Sequence, residues 1–359
     1  DEFSRALANR LGEAIGYFTA TIRNALADRC GTVIAVRSAG GEPLALCATS
    51  RDANTGLTTV TLLHVDPNLG LASTLATTLL LEVIDQEAAA GMRGVVLTAP
   101  NPSTSASAAA QLGFINEAGV WVKFLFRGLV TRGVVVEQVR DLAARAVAVA
   151  NHAARIEALG RDLQQDRARE DAALEELLSP ALLADAAVPT FLVPIRPVWA
   201  MNLFDAGLSN ADLFGGAASL LLRAENVYYR SRLNSSGMTS PARILWYVSA
   251  GDGSHQGAGS IRAVSLAREV IVDKPKPLYR RFERFGVFEW RDVYETAKKD
   301  IDEEIMAIRF GSTHLLRHPI SFADVQTTLR EHGQRENQLA SPVRISPAVF
   351  DSLIRRGEG

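Results

Sequence analysis

Hydrophobic and polar positions follow an ordered series of helix-type and strand-type patterns over the first 126 residues. Leu7, Leu11 and Ile15 recur at helical spacing and predict an amphipathic helix over 1–30. Apolar runs such as LTTVTLLHV are separated by short turns that contain glycine, which favours an antiparallel meander. The predicted order is a helix (1–30), three strands (32–38, 43–50 and 57–65), a helix (70–90), a strand (94–100), a helix (103–112) and two strands in 114–126.

The pattern changes after residue 128. Residues 134–186 have apolar positions at helical spacing among dense mixed charges, which predicts long helices that space domains or pair with another helix. Prolines cluster between 180 and 197 and indicate a domain boundary, after which strand-type runs dominate 190–320. We therefore predict an α+β protein with four parts, an N-terminal domain (1–127), a helical connector (128–188), a β-rich domain (189–335) and a C-terminal tail with a short helix (336–359).

The composition limits the functional classes. The net charge of −2 predicts no overall attraction to nucleic acid, so any such site must be a local patch. No apolar run reaches the ~18 residues of a membrane span, and we expect a cytoplasmic protein. Cys30 and Cys47 form no CxxC pair and accompany no histidine cluster, which predicts reduced core thiols and no metal site. The start at Asp1 rather than at Met indicates a trimmed sequence, which leaves room for an upstream domain.

The segment VDPNLGLASTL (65–75) joins a strand to an apolar helix through a turn that contains one glycine. A helix N-terminus offers unsatisfied backbone N–H groups and the positive end of the helix dipole, which together favour a phosphate group. Neighbouring small residues would let the phosphate approach the backbone. The predicted donors are the backbone amides of Leu69, Gly70, Leu71, Ala72, Ser73 and Thr74, with the hydroxyls of the last two.

This order of elements, together with VDP…GLA, a buried strand ending at Asn101 and the segment Gln111-Leu112-Gly113-Phe114, resembles the GNAT acyltransferase family over residues 1–126. The resemblance implies a mixed sheet flanked by helices that binds acetyl-CoA between the strands 57–65 and 94–100, which splay apart. It also implies Asn101 as a cofactor contact and His64 as a candidate base. The loop after Pro67 is about three residues shorter than is usual in the family, and Ala109 stands where a tyrosine often acts as general acid.

The second chemical feature is a basic and aromatic segment. Residues 223–284 contain eleven Arg and Lys residues against five Asp and Glu residues, and aromatic residues are interleaved among them. Guanidinium groups bind phosphates in pairs of hydrogen bonds, and aromatic rings stack on unpaired bases. The predicted nucleic-acid contacts are Arg223, Arg230, Arg232, Lys274, Lys276, Arg280, Arg281, Arg284, Tyr229 and Trp246.

The runs LLLRAENVYYRSR, PARILWYVSAGDG and KPLYRRFERFGVFEW within 190–320 are similar in order and texture to the ASCH and EVE domains of the PUA-like superfamily. The resemblance implies a small β-barrel that binds RNA or modified bases. The ASCH signature G-x-K-x-x-E-x-R is not present intact.

Two functions remain open at the level of sequence. The first is acetyl-CoA-dependent N-acylation of an amine on an RNA-associated or nucleotide-like substrate, for which family context implies a toxin–antitoxin setting. The second is a catalytically inactive GNAT-like scaffold that carries a PUA-like RNA or modified-base binding module. In either case a homodimer or a partner protein would pair through the helices in 134–186. The absence of HExxH, GxSxG, Walker and GxGxxG motifs gives no support to other common chemistries.

Overall fold

The fold comes from a computed structural model, which describes residues 20, 23, 31–38, 40–41, 43–66, 69–70, 72–98, 103–161, 167–205, 225–233, 237–250, 258–285 and 287–358. The predicted first helix, apart from residues 20 and 23, lies outside the described residues, as do Cys30, Leu71, Asn101 and Arg223. The chain divides into two units. Unit 1 comprises Asp1–Arg127, Arg132–Asp162 and Leu177–Ser179, and unit 2 comprises Gly128–Thr131, Leu163–Glu176 and Pro180–Gly359.

Unit 1 contains a six-stranded sheet in the order β1-β2-β3-β4-β6-β5, in which β3 and β4 are parallel and the other neighbours are antiparallel. The predicted meander of three strands, followed by helix, strand, helix and hairpin, is confirmed. Its elements are β1 (Gly31–Arg37), β2 (Pro43–Asp52), β3 (Leu57–Val65), α1 (Ala72–Ala89), β4 (Gly94–Thr98), α2 (Ser103–Gln111), β5 (Ile115–Glu117), β6 (Val120–Phe124), α3 (Arg132–Arg145), a 3-10 turn (Val147–Val149) and α4 (Ala150–Arg161).

The core of unit 1 forms where α1 packs on the sheet. Leu79, Leu80 and Val83 on α1 are buried in one cluster with Cys47 and Val60 from the strands. This explains the sequence pattern, because the apolar stripe of a helix must be buried against an apolar sheet face. Cys47 is a buried free thiol, as predicted.

Unit 2 contains a second six-stranded sheet in the order β10-β13-β12-β11-β9-β14, in which only β9 and β11 are parallel. Strands β7 and β8 form a separate, short parallel sheet of two strands. The elements are β7 (Leu129–Val130), α5 (Arg167–Leu178), β8 (Leu182–Leu183), β9 (Thr190–Ile195), α6 (Pro197–Leu203), β10 (Glu225–Ser231), β11 (Ala242–Val248), β12 (Ser260–Asp273), α7 (Pro275–Phe282), a 3-10 turn (Glu283–Phe285), α8 (Trp290–Thr296), β13 (Ile305–Ser321), α9 (Phe322–Glu331), β14 (Val343–Ile345) and α10 (Pro347–Glu358).

The α+β class is confirmed, but the predicted closed PUA-like barrel is not. In the described part of the chain, β10 and β14 end the sheet on opposite sides and do not pair with each other. The two longest strands, β12 and β13, instead run against each other through three register shifts. Such irregularities bend a strand pair and increase its twist, so this sheet curves without a closing pair of strands.

The predicted connector (128–188) is not a separate unit. Helices α3 and α4 belong to unit 1, where Val135, Val139 and Leu142 are buried. Most of α5 belongs to unit 2, where Glu175 pairs with Arg243 in the interior. Val135, Val139 and Leu142, apolar positions of the stretch that suggested a partner helix, are therefore buried within this chain, whereas Val147 is exposed; pairing through 134–186 stays a prediction. Among the described helices, none combines the length and the apolar character that crossing a bilayer requires.

Candidate functional site

The parallel strands β3 and β4 of unit 1 pair over only part of the length of β3. We call the region where their pairing ends the fork. The strands pair over four positions, from Leu57 with Gly94 to Val60 with Leu97, and β3 then continues to Val65 without a described β4 partner. The paired end is tight, because a Cβ on Gly94 would lie 2.8 Å from the side chain of Leu57. The described pairing of the two strands thus ends at Val60 and Leu97, and their splaying beyond this point stays a prediction.

Thr61 marks the point at which the fork opens. Val60 faces Thr49 and Leu62 faces Ala48 on β2, so Thr61 is an extra residue in β3, and its hydroxyl donates to the Ala48 carbonyl at 3.1 Å. A bulge of this kind bends the strand that carries it. Backbone groups of β3 beyond Thr61 that point away from β2 have no strand partner among the described residues. No sequence signal identified Thr61.

The turn between β3 and α1 supplies fewer donors than predicted. The N–H group of Leu69 donates to the Asp66 carbonyl at 3.3 Å, and that of Ala72 donates to the Leu69 carbonyl at 3.0 Å. These two amides are therefore used inside the short turn, which corrects their predicted role as phosphate donors. Gly70 in the turn and Ser73 and Thr74 in the first helical turn remain as candidates, since a helix offers no internal acceptor to its first N–H groups.

His64 lies on β3 within the open part of the fork. Its neighbours Leu63 and Val65 pack in the cluster beneath α1, and side chains alternate along a strand, so His64 lies on the sheet face opposite α1. It is half-buried and faces Leu46 across the strand pair. This position is compatible with a base at the fork, and the catalytic role of His64 stays a prediction.

Helix α2, which follows β4, carries hydroxyls that lack partners. The side-chain oxygens of Thr104 and Ser105 are buried and have no hydrogen-bond partner among the described residues, and Ser105 is 1% exposed. A buried polar group without a partner costs about 1–3 kcal/mol, which a bound ligand or water would recover. Ala109 is fully buried and supplies no acid. Gly113, at φ +76°, ends α2 as predicted, and the N–H group of Phe114 donates to the Ala109 carbonyl.

In unit 2, three of the predicted nucleic-acid cations (Arg232, Lys274 and Arg281) have carboxylate partners, as do Arg243 and Arg262 in the same basic segment. Four of these partners lie outside the basic segment in sequence: Asp205 pairs with Arg262, Asp302 with Lys274, Glu304 with Arg232 and Glu175 with Arg243. Arg281 pairs with Glu269 on the neighbouring strand β12. The excess of positive charge counted along 223–284 is therefore largely balanced in the folded protein, because folding brings acidic residues from other elements next to these cations.

Two predicted stacking residues are in the interior. Trp246 has no exposed surface, and its indole N–H donates to the hydroxyl of Ser265 at 2.8 Å. Tyr229 is 3% exposed, and its hydroxyl donates to the Leu278 carbonyl at 3.4 Å. Both predictions are corrected, since a ring that is packed on all sides cannot stack on a base.

The cations that stay at the surface lie on α7 and the turn after it. Lys276 and Arg280 are exposed and form no ion pair with a described carboxylate. Arg284 is exposed, and its guanidinium lies 4.5 Å from the ring centre of Phe285. Helices α7 and α8 also carry half-buried aromatic rings. The ring centres of Tyr279 on α7 and Trp290 on α8 lie 5.7 Å apart.

Arg230 differs from the other predicted cations. It is half-buried, its Nε donates only to the Ser231 carbonyl at 3.3 Å, and no described carboxylate pairs with it. Burial lowers the pKa of Arg230, an effect that the nearby Tyr228 opposes. Burial likewise raises the pKa of Tyr228, and the positive charges of Arg230 and Arg196 act against this shift. A partly buried guanidinium that no described carboxylate pairs with is costly in free energy.

Aromatic side chains pack near Tyr228, the residue whose hydroxyl interacts electrostatically with Arg230. Trp199 stacks on Phe288 with ring centres 4.1 Å apart, and Tyr228 lies 6.1 Å from the same phenyl ring. Sequence reasoning missed Arg196 and Trp199, because the prolines beside them were interpreted as a domain boundary. The run IRP could have identified them, because it places an arginine at the end of an apolar strand, directly before Pro197 starts α6.

No protein-family model matches this chain, and no curated protein matches it either. Several solved structures are similar to it. An ASCH protein from Zymomonas mobilis is 12% identical, with 46% of this chain and 94% of that chain covered and a TM-score of 0.31. A GNAT-family acetyltransferase from Staphylococcus aureus is 16% identical, with 34% and 89% covered and a TM-score of 0.27.

A third similar structure is the PaiA N-acetyltransferase from Thermoplasma acidophilum in complex with coenzyme A. It is 14% identical to this chain, with 32% of this chain and 72% of that chain covered and a TM-score of 0.26. The solved structures to which this chain is similar thus include ASCH domains and GNAT acetyltransferases, the two groups that its sequence resembles.

Proposed function

We propose that unit 1 is an acyl-CoA-dependent N-acyltransferase whose site is the fork between β3 and β4. The observation that carries this proposal is the end of strand pairing at Val60 and Leu97, next to the Thr61 bulge. An extended thioester-bearing ligand fits such a gap, because it can take up the backbone hydrogen bonds that the missing strand pairing leaves open.

The described residues suit acetyl-CoA. The buried hydroxyls of Thr104 and Ser105 lack partners, and the first turn of α1 presents the amides of Ser73 and Thr74 beside Gly70. These amides would hold the pyrophosphate. Asn101 and Leu71, predicted contacts outside the described residues, remain part of the proposal.

The chemistry assigned to the protein residues is acid–base and electrostatic. Acetyl-CoA, when bound, supplies an acyl group activated as a thioester. Backbone N–H groups of β3 beyond Thr61 donate to the carbonyl oxygen on which negative charge develops. His64 accepts the proton that the acceptor amine loses as its nitrogen bonds to the acyl carbon, and the thioester C–S bond breaks, so that CoA leaves as a thiolate that solvent protonates. The acceptor we propose is an amine on an RNA-associated or nucleotide-like molecule, and the uncompensated Arg230 in unit 2 supports that class.

Gly70 allows a sharp test. A Cβ at this position would meet no described heavy atom within 4 Å, so Gly70→Ala and Gly70→Asp should both fold normally. Acetyl-CoA at about 100 times its dissociation constant should stabilise the wild type and Gly70→Ala by ~2.7 kcal/mol in thermal unfolding. Gly70→Asp places a negative charge at the phosphate position and should lose the stabilisation. No stabilisation of the wild type would sink the enzyme proposal.

The second candidate is a ligand-binding protein without catalysis, and Arg230 is the observation that favours it. We would measure binding of mononucleotides and of single-stranded RNA at several salt concentrations. Arg230→Ala should weaken binding, whereas Arg232→Ala should not, because Arg232 is exposed and already paired with Glu304. Ligand binding without any effect of acetyl-CoA on stability would select this second function. Equal losses in both arginine variants would contradict the assignment to Arg230.

A further inference from the structure

A cavity of about 370 Å³ lies in unit 2. The segment 186–190 before and into β9 forms one wall, and β14 with the first residue of α10 forms the other. Its volume is at the lower end of the ~300–1,000 Å³ that small-molecule sites occupy. It therefore has room for a small ligand or for one end of a larger ligand.

The charge of this cavity is positive. Two arginines, Arg243 and Arg344, line it, and no carboxylate is among the described residues that do so. The charge of Arg243 is offset by Glu175, which receives hydrogen bonds from its guanidinium. Arg344 is exposed and forms no ion pair with any described carboxylate. Asp351 interacts electrostatically with Arg243 but does not line the cavity. One uncompensated guanidinium thus faces this space.

Neutral groups in the cavity wall can also donate hydrogen bonds. Thr190, which is 3% exposed as a whole residue, contributes its side-chain hydroxyl to the wall. The Gln334 carbonyl oxygen accepts the N–H of Ser346 at 2.9 Å, which leaves the amide nitrogen of Gln334 to donate elsewhere. Ser346 precedes α10, and its hydroxyl accepts the N–H of Val349 at 3.3 Å, so the positive end of this helix lies at the cavity.

We propose that this cavity binds a small oxyanion, the phosphate or carboxylate group of a small molecule, through Arg344, Thr190 and Gln334. The combination of the Arg344 guanidinium, the Thr190 hydroxyl and the amide nitrogen of Gln334 is suited to planar or tetrahedral oxygen acceptors. Cationic ligands are unsuited, because the guanidinium of Arg344 would repel them and the amide nitrogen of Gln334 can only donate. The site is independent of the acyltransferase proposed for unit 1.

The test uses the full chain and isothermal titration calorimetry with inorganic phosphate and, separately, with acetate, at constant ionic strength set by sodium chloride. Arg344→Ala should weaken binding by about tenfold or more, the range for a charged hydrogen bond, and Thr190→Val should weaken it by a smaller factor. Arg335→Ala is the matched control, since it removes an exposed arginine next to Gln334 that does not line the cavity. Its affinity should stay within about twofold of the wild type.

The two titrants separate the two sources of the oxyanion. Phosphate binding that depends on Arg344 assigns a phosphate-bearing ligand, and acetate binding that depends on Arg344 assigns a carboxylate-bearing ligand. The proposal is overturned if neither anion binds more tightly than chloride, or if Arg335→Ala loses as much affinity as Arg344→Ala. Stabilisation by acetyl-CoA should be unchanged in Arg344→Ala, so failure here is distinguishable from failure of the acyltransferase proposal.

Discussion

Val60 and Leu97 are the last residues that join β3 to β4, and every later residue of β3 runs without a described partner on that side. Between strands of a continuous sheet the backbone groups satisfy each other. In unit 1 the described pairing of β3 with β4 ends beside Thr61, the extra residue of β3 relative to β2.

A bulky side chain at the fork should block acetyl-CoA. Thr98 is the exposed last residue of β4, directly after Leu97. Thr98→Trp should abolish the stabilisation by acetyl-CoA, because an indole fills the gap, while unfolding of the free protein shifts by no more than about 0.5 kcal/mol. Thermal unfolding with and without the ligand measures both quantities. Thr98→Ser is the control and should retain the stabilisation; equal stabilisation in Thr98→Trp would contradict a ligand in the fork.

Loss of the imidazole at His64 should affect turnover rather than cofactor binding. In His64→Asn, we expect kcat to fall by about 10²–10⁴-fold, the usual contribution of a general base. The KM for acetyl-CoA should stay within about twofold, because the ring is assigned to the acceptor amine. Steady-state release of free thiol measures both constants. A fall in kcat of less than about threefold would assign His64 to packing alone.

Removal of Glu175 should strongly destabilise unit 2. Its carboxylate is 4% exposed, and it accepts from the 2%-exposed Arg243 and from the N–H of Leu183 at 2.7 Å. Glu175→Ala leaves a buried guanidinium without a counter-charge, and we expect a loss of about 3–5 kcal/mol in the free energy of unfolding. Urea denaturation measures this loss.

Glu176→Ala is the control for that change. Glu176 pairs with Arg268 at a position that is 35% exposed, where water screens the charges, so the loss should stay below about 1 kcal/mol. Replacing both members of the buried pair, in Glu175→Leu/Arg243→Met, should recover much of the stability lost in Glu175→Ala. Similar losses in the two single variants would show that burial does not govern this ion pair.

His314 should make stability depend on pH. Burial lowers the pKa of its ring to about 4, and its buried Nδ1 has no partner among the described residues. The unfolded chain, with an ordinary histidine pKa of 6.5, then binds more protons than the folded chain between these values. The stabilisation is therefore fully present above about pH 6.5 and decreases as the pH falls toward 4.

Urea midpoints at two pH values, about 7.5 and 5.5, measure this dependence. We expect the midpoint of the wild type to fall more between them than that of His314→Gln, whose side chain does not titrate. His318→Gln, an exposed histidine on the same strand, is the control and should follow the wild type. An unchanged pH dependence in His314→Gln would rule out His314 as its source.

Much of unit 1 could be predicted from local pattern alone. The strand LTTVTLLHV, the helix after it and the helix end at Gly113 depend on apolar spacing and on a residue that tolerates positive φ, and these are properties of short segments. The donor set at the turn was only partly predictable. Whether the amides of Leu69 and Ala72 bind a ligand or a neighbouring carbonyl depends on how tightly the turn closes, which the residue types do not specify.

The ion pairs of the basic segment (223–284) could not be predicted from local sequence. Its cations were counted along the chain, but an ion pair depends on distance in space. Asp302 and Glu304 reach Lys274 and Arg232 only because β13 runs next to β10 and β12. The same count could not distinguish Arg230, which has no described carboxylate partner, from Arg232, which has one.

The sequence by itself determined the order of helices and strands, the α+β class and the two resemblances, because these follow from the spacing of apolar residues and from short motifs. Only the tertiary structure decided which groups are left without partners. The fork at Val60 and Leu97, the burial of Trp246 and Tyr229 and the cavity beside Arg344 all arise from contacts between segments far apart in the chain. A side chain's chemistry is set by its exposure and its neighbours, and folding assigns both.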